Sequence, residues 1–143
     1  MSISALLVAN RGEIAIRVIR AAMDLGLRTV AIYAEDDADS LHTRAGDESY
    51  ALQGTGAAAY LDMDAVIAAA QAAGCDAIHP GYGFLAERAD FARRCAGAGL
   101  TFVGPSVENL ALFGDKAQAR ATAIAADVPV IKGLDHAVTL EEA

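Results

Sequence analysis

Apolar and polar residues follow two alternating periods along the chain, and this pattern predicts strands and helices in turn. Short apolar runs end abruptly at polar or glycine-containing turns, as buried parallel strands do. Each run precedes a longer segment in which apolar residues recur every three to four positions, which indicates an amphipathic helix. The predicted strands span residues 4–10, 28–36, 47–52, 75–80 and 100–105. The predicted helices span residues 13–26, 60–74, 88–99, 106–114 and 115–128.

Residues that favour helix ends stand at the edges of these segments. Gly26 and Gly74 follow two of the helical stretches, where a glycine commonly ends a helix. Either Asp62 or Asp64 is expected to cap the second helix, and Asp115 is expected to cap the last. The residues that favour helix ends therefore stand where the apolar pattern predicts that the helices begin and end.

Strands that alternate with helices at this spacing predict an α/β fold with a Rossmann-like, open parallel sheet. Helices are expected on both faces, giving three α/β/α layers. This domain is expected to span residues 1–114, followed by a helix and linker over 115–134. Thr139 and Glu142 then form a helix-start signature, and the sequence stops there. We therefore interpret 135–143 as the truncated start of a second domain, and the chain as a fragment.

Composition narrows the class of protein. The 143 residues are enough for one domain, and the net charge of −8 comes without a basic cluster. Nucleic acids and anionic membranes are therefore not expected as partners. Cys75 and Cys95 have no CxxC spacing, and from the apolar pattern we expect neither a leader nor a membrane span. These features favour a cytoplasmic protein with reduced cysteines.

Ligands of such sheets bind beyond the carboxyl ends of the strands, which here carry the segments 10–13, 34–40 and 79–84. The first, NRGE, stands where a dinucleotide fold has G-x-G-x-x-G, but it contains Gly12 alone. Acidic residues 35–37 stand near the position of a ribose-binding acid. Without the glycine loop they do not favour nicotinamide binding.

The segment HPGYGF, residues 79–84, is an unusual connection between a strand and a helix. Pro80 ends the strand, and Gly81 and Gly83 permit positive φ or the close approach of another group. Tyr82 must then project from a sharp turn at the ligand-binding edge. The turn either lines a binding cleft or packs Tyr82 and Phe84 against another domain.

Lys116 stands at a predicted helix start, where a lysine side chain and backbone amides can together bind phosphate. The alternative is an ordinary solvated lysine. No paired carboxylates, Ser/His/Asp set or metal-ligand cluster is apparent in the sequence, so neither catalytic nor metal-binding residues are assigned.

Taken in order, these motifs resemble the N-terminal part of biotin carboxylase, in the ATP-grasp superfamily. The similarity covers nearly all of residues 5–133. The most specific stretches are ANRGEIA, AIHPGYGFLAE and FVGPSVENLALFGDKAQAR.

The resemblance implies a ligase component that uses ATP and bicarbonate to carboxylate biotin on a carrier domain. It would serve an acyl-CoA or pyruvate carboxylase through a carboxyltransferase component. Lys116 would contact the ATP phosphate, and Tyr82 and Gly83 would lie at the biotin and bicarbonate end of the cleft. Arg20 and Asp24 match positions of the family's homodimer interface, or else form an ordinary surface face.

The resemblance also places the Mg²⁺ ligands and the catalytic residues downstream of residue 143, so the fragment alone is expected to be inactive. Apolar side chains near residues 79–84 and 114–134 should then be exposed. Two alternatives remain: another ATP-grasp ligase, such as carbamoyl phosphate synthetase or a purine-pathway enzyme, and a stand-alone nucleotide-binding regulatory module.

Overall fold

The computed structural model describes residues 2–131, which form a parallel β-sheet between two helical layers. The predicted fold class is thereby confirmed. The elements in chain order are β1 (Ala5–Val8), α1 (Gly12–Asp24), β2 (Arg28–Tyr33), β3 (Glu48–Ala51), α2 (Gly56–Leu61), α3 (Met63–Ala72), β4 (Ala77–His79), α4 (Ala89–Gly97), β5 (Thr101–Phe102), α5 (Val107–Gly114) and α6 (Lys116–Ala125). Two short 3-10 helices, Glu35–Asp37 and Leu41–Arg44, connect β2 to β3. The predicted segment 135–143, with its helix start at Thr139, lies outside the described residues.

The five strands are arranged in the order β3-β2-β1-β4-β5, and every neighbouring pair is parallel. The chain starts at β1 and builds outward through β2 to β3. It then crosses back and places β4 on the other side of β1. The strand order therefore reverses between β1 and β4, and such a switch point is where open α/β sheets bind ligands.

The central strand β1 is buried on both faces because its side chains alternate between two cores. Ala5 and Leu7 pack into the cluster formed with α3 and α4. Leu6 and Val8 pack into the opposite cluster, which includes Ala15 and Ile19 of α1. This two-sided burial explains why the strand is an unbroken apolar run rather than an alternating one.

The helix ends follow the predicted signals, with one correction. Gly26 and Gly74 adopt φ values of 74° and 62° just after α1 and α3, as predicted. Asp62, rather than Asp64, caps α3 by accepting a hydrogen bond from the Ala65 amide at 3.0 Å. Because the backbone at Asp62 is extended, the helix predicted over 60–74 is in fact divided between α2 and α3.

Several large apolar side chains are exposed in the two regions where the sequence predicted them. Tyr82 is 76% exposed, and Ile131, the last described residue, is 90% exposed. Ile124 and Val128 are also exposed. This prediction is confirmed for the described part of the chain. None of the helices within residues 2–131 combines the length and apolarity needed to cross a membrane.

Candidate functional site

The ends of β1 and β4 lie side by side and bring two distant segments together. Val8 is in register with His79, and the Ala9 amide donates to the His79 carbonyl at 2.8 Å. The segment 10–13 therefore begins next to the turn of residues 79–84. These two segments occupy the switch point of the sheet.

Asn10 joins the two segments through its side chain. Its Nδ2 donates to the carbonyl oxygens of Pro80 at 2.8 Å and Tyr82 at 2.9 Å. Its Oδ1 accepts from the Arg11 amide at 3.0 Å. Asn10 is 3% exposed, so these bonds satisfy a polar side chain that would otherwise be costly to bury. Asn10 thus holds the turn from inside the protein.

Glycine at position 81 meets both conditions that the sequence predicted for it, a positive φ and the close approach of another group. Gly81 has a φ of 69°, and a Cβ added there would lie 2.6 Å from Asn10 Nδ2. The close approach at this glycine is therefore that of Asn10, not of an external ligand. Gly83 has a φ of 65°, but a Cβ there would meet open space.

Tyr82 projects from this turn into an open groove of about 570 Å³. The groove runs along α1, where Ile14 and Val18 contribute to its wall, and His79 and Gly81 line it beside Tyr82. Phe84 takes a different course: its ring stacks on that of Tyr60, with 5.3 Å between centroids. Tyr82 therefore lines a groove, whereas Phe84 packs within its own domain, which neither predicted alternative included.

His79 stabilises the same turn as a hydrogen-bond acceptor. Its Nδ1 accepts from the Gly81 amide at 3.0 Å, which requires that this nitrogen carry no proton. Burial lowers the pKa of His79 below its ordinary value. The imidazole is therefore neutral near pH 7, with its proton on Nε2.

Arg11 lies at the centre of a second cluster beside the turn. Its guanidinium carbon is 5.8 Å from the ring centroid of Tyr60 and 5.9 Å from that of Phe84. Its Nη1 lies 3.3 Å from Asp37 Oδ2. The Tyr60 hydroxyl donates to the same carboxylate oxygen at 2.8 Å. One cation thus connects an acid that follows β2, the ring of Tyr60 on α2 and the ring of Phe84 in the turn.

This cluster perturbs the acid–base properties of its members. Burial alone would raise the pKa of Asp37, but hydrogen bonds from Tyr60, Arg11 and Ser40 outweigh it and lower that pKa. Burial, together with the neighbouring Asp37 carboxylate, raises the pKa of Tyr60. Asp37 is therefore ionised and Tyr60 is neutral near pH 7.

The acids after β2 are engaged in the protein's own structure. Glu35 Oε1 accepts from the Gly54 amide at 3.0 Å, and Asp36 Oδ1 accepts from the Gly56 amide at 2.9 Å. Asp37 belongs to the Arg11 cluster. These bonds account for the acids without a ribose, in agreement with the missing glycine loop.

Lys116 is exposed at the first position of α6, and it does not line the groove of Tyr82. The predicted cap is confirmed, because Asp115 accepts from the amides of Ala117 and Gln118 at 2.9 and 3.0 Å. Those two amides are therefore not free for a phosphate, contrary to the sequence argument. Lys116 can offer its side-chain ammonium instead.

Arg20 and Asp24 are both exposed on α1, one helical turn apart, and no ion pair joins them. Across residues 2–131, no three potential metal ligands come together. Sequence reasoning missed Asn10 and Arg11 as site residues. The available signal was a polar pair directly at the end of an apolar strand.

Comparisons with known proteins match the chain to one family. The family model described as "Biotin carboxylase, N-terminal domain" matches residues 2–110. Pyruvate carboxylase of Staphylococcus aureus is 57% identical over 93% of this chain and 12% of its own length. A biotin carboxylase of Halalkalibacterium halodurans is 50% identical over 95% of this chain and 30% of its own length.

A solved structure shows the same likeness in three dimensions. The biotin carboxylase domain of a single-chain bacterial carboxylase matches with a TM-score of 0.92 and 57% identity. That match covers 97% of this chain and 32% of the other. The chain therefore spans only a fraction of the relatives that it matches.

Proposed function

Because this chain belongs to the family of biotin carboxylase N-terminal domains, we propose that it is the first part of a biotin-dependent carboxylase. In the complete polypeptide, ATP would activate bicarbonate by phosphorylation, and the activated carboxyl group would pass to biotin. The observation that carries this proposal is the presentation of Tyr82. It stands 76% exposed at the end of the groove that lies at the sheet's switch point, on a turn fixed by a buried side chain.

Within this proposal, Tyr82 and Gly83 form the biotin and bicarbonate end of the site. The Tyr82 ring offers an apolar surface to the biotin ring system, and Gly83 leaves open space beside it. Lys116 contributes a cation to the ATP phosphates through its side chain. Residues 2–131 gather no ligand set for Mg²⁺, whose ligands we expect downstream of residue 143.

The proposed partners are a biotin carboxyl carrier domain, a carboxyltransferase component and a second copy of the carboxylase. For the last, we propose an interface that includes Arg20 and Asp24 on α1. Met23 and Leu25, which flank Asp24, are 48% and 77% exposed, so the same part of α1 offers apolar contact area. We propose a cytoplasmic location, which the two free, buried cysteines support.

The test compares the chain of residues 1–143 with the complete polypeptide that contains it. We expect bicarbonate-dependent ATP cleavage by the complete polypeptide and none by residues 1–143. Cleavage by residues 1–143 alone would contradict the proposal. ATP cleavage that requires another acceptor would favour a different ATP-grasp ligase, and nucleotide binding without cleavage would favour a regulatory module.

A further inference from the structure

The turn that presents Tyr82 is held by two residues that do not line the groove themselves. We propose that Asn10 and Arg11 are positioning residues for biotin: they fix the turn of residues 79–84 so that Tyr82 and Gly83 face the acceptor. This inference rests on the proposed function of the turn. It assigns a role to the segment of residues 10–13, for which the sequence predicted no binding residue.

Asn10 controls the part of the turn that would otherwise be most mobile. Glycine lacks the side chain that restricts the backbone of other residues. Two glycines in three residues therefore leave many conformations open to the turn. The Nδ2 group of Asn10 binds the carbonyls of Pro80 and Tyr82, one on each side of Gly81. These two bonds fix the peptide planes that set the direction of Tyr82.

Arg11 controls the far end of the turn. Phe84 has a φ of 46°, a conformation that a residue with a side chain adopts only when its surroundings hold it there. The Phe84 ring contacts both the Tyr60 ring, at 5.3 Å between centroids, and the Arg11 guanidinium, whose carbon is 5.9 Å from the Phe84 centroid. Asp37 in turn anchors Arg11 at 3.3 Å. A planar guanidinium can contact two rings and a carboxylate at once, which a lysine ammonium cannot do equally well.

A positioning role and a merely structural role predict different kinetics. Loss of positioning moves Tyr82 and Gly83, so it weakens the interaction with biotin while leaving the ATP site in place. Loss of structure lowers the amount of active enzyme, so it reduces kcat without a selective change in one KM. The ratio of the two KM values therefore separates the roles.

The experiment uses the complete polypeptide, with free biotin as the acceptor and ATP and bicarbonate as co-substrates. Asn10→Asp keeps the shape of the side chain but removes both donated hydrogen bonds, and Arg11→Met removes the guanidinium. We expect each to raise the KM for biotin by about tenfold or more, since a misplacement of about 1 Å can cost as much as a hundredfold. The KM for ATP should stay within about twofold, a difference below the factor of ten that 1.4 kcal/mol represents.

Two further variants make the result specific. Asp37→Asn removes the anchor of Arg11. The KM for biotin in the double variant with Arg11→Met should be no higher than in Arg11→Met alone, because in this proposal Asp37 affects the turn through Arg11. Asp37→Asn also carries the test if Asn10→Asp does not fold. Arg93→Met serves as the matched control, since Arg93 pairs with Asp90 on the surface of α4 and should leave both KM values unchanged.

An unchanged KM for biotin in Arg11→Met and Asp37→Asn would overturn the inference. Equal increases in the KM for biotin and for ATP would overturn it as well. A wild-type polypeptide that shows no biotin-dependent reaction would instead overturn the proposed function, so the two failures are distinguishable.

Discussion

A Cβ atom at Gly81 would lie 2.6 Å from the side-chain nitrogen of Asn10, so the two residues fit together only because one is glycine. In the chain they are separated by α1, β2, β3, α2, α3 and β4. Their contact closes the switch point of the sheet. It also makes the turn of residues 79–84 a sensitive position for substitution.

We predict that Gly81→Ala destabilises the domain more than Gly83→Ala. Both alanines would stand in the left-handed region, which costs about 1–2 kcal/mol. Only the alanine at Gly81 would also meet Asn10 and disturb its buried hydrogen bonds, adding about 1–3 kcal/mol. Urea unfolding of both variants measures the difference. Equal losses of stability would show that the contact with Asn10 is not tight.

We predict that Tyr60→Phe lowers the free energy of unfolding by about 1–3 kcal/mol, because it leaves buried polar groups without their partner. The Tyr60 hydroxyl accepts from the Ala34 amide at 3.2 Å and donates to Asp37. Tyr50→Phe is the control, since Tyr50 is 41% exposed on the edge strand β3 and should change stability by less than about 0.5 kcal/mol. Similar values for the two variants would contradict the role of the hydroxyl.

We predict that the domain loses stability as the pH falls below about 6.5, the pKa of an unperturbed histidine. Burial lowers the pKa values of both His42 and His79 in the folded state. The unfolded chain therefore binds protons that the folded chain does not, and stability declines until the pH is below the folded pKa values. Well above pH 6.5, where both imidazoles are neutral in the folded and the unfolded chain, these two groups should contribute no pH dependence.

The pH effect can be assigned by substitution. In His79→Asn, an amide oxygen can accept the Gly81 hydrogen bond without titrating in this range. The decline in the free energy of unfolding between pH 6.5 and 5 should become shallower in this variant. An identical decline in wild type and variant would contradict the assignment to His79. The carboxylates Asp37, Asp47 and Asp76 have lowered pKa values, so their effects fall at lower pH.

We predict that Lys116→Met raises the KM for ATP of the complete polypeptide by about tenfold, as expected for a charged hydrogen bond worth about 1.5–3 kcal/mol. The KM for free biotin should change little. Because Lys116 is exposed, the variant should fold as the wild type does. An unchanged KM for ATP would indicate that Lys116 is an ordinary surface residue.

The sequence predicts the fold well because the signals for it are local. Apolar runs mark β1 and β4, Gly26 and Gly74 end their helices, and Asp115 caps α6. The apolar pattern predicted a single helix and missed the break at Asp62. One extended residue divides the two helices there without interrupting that pattern.

The site could be predicted only in part, because its contacts are not local. The turn was identified from Pro80 and its glycines, but the reason for Gly81 lies 71 positions earlier at Asn10. Likewise, the role of Arg11 depends on Tyr60 and Phe84, which the sheet topology alone brings beside it. The helix amides that were expected to bind phosphate beside Lys116 donate to Asp115 instead. The prediction of Asp115 as the helix cap already indicated that these amides would be occupied.

The most direct test is the transfer of labelled carbon from bicarbonate to free biotin by the complete polypeptide, measured with wild type and Tyr82→Ala. We expect ATP-dependent labelling of biotin by the wild type and a KM for biotin that is at least about tenfold higher in Tyr82→Ala, since the variant would lose the proposed aromatic contact with the acceptor. The stability of the two proteins should be alike, because Tyr82 is 76% exposed. ATP cleavage without labelled biotin would contradict the proposed site. An unchanged KM for biotin in Tyr82→Ala would contradict it as well.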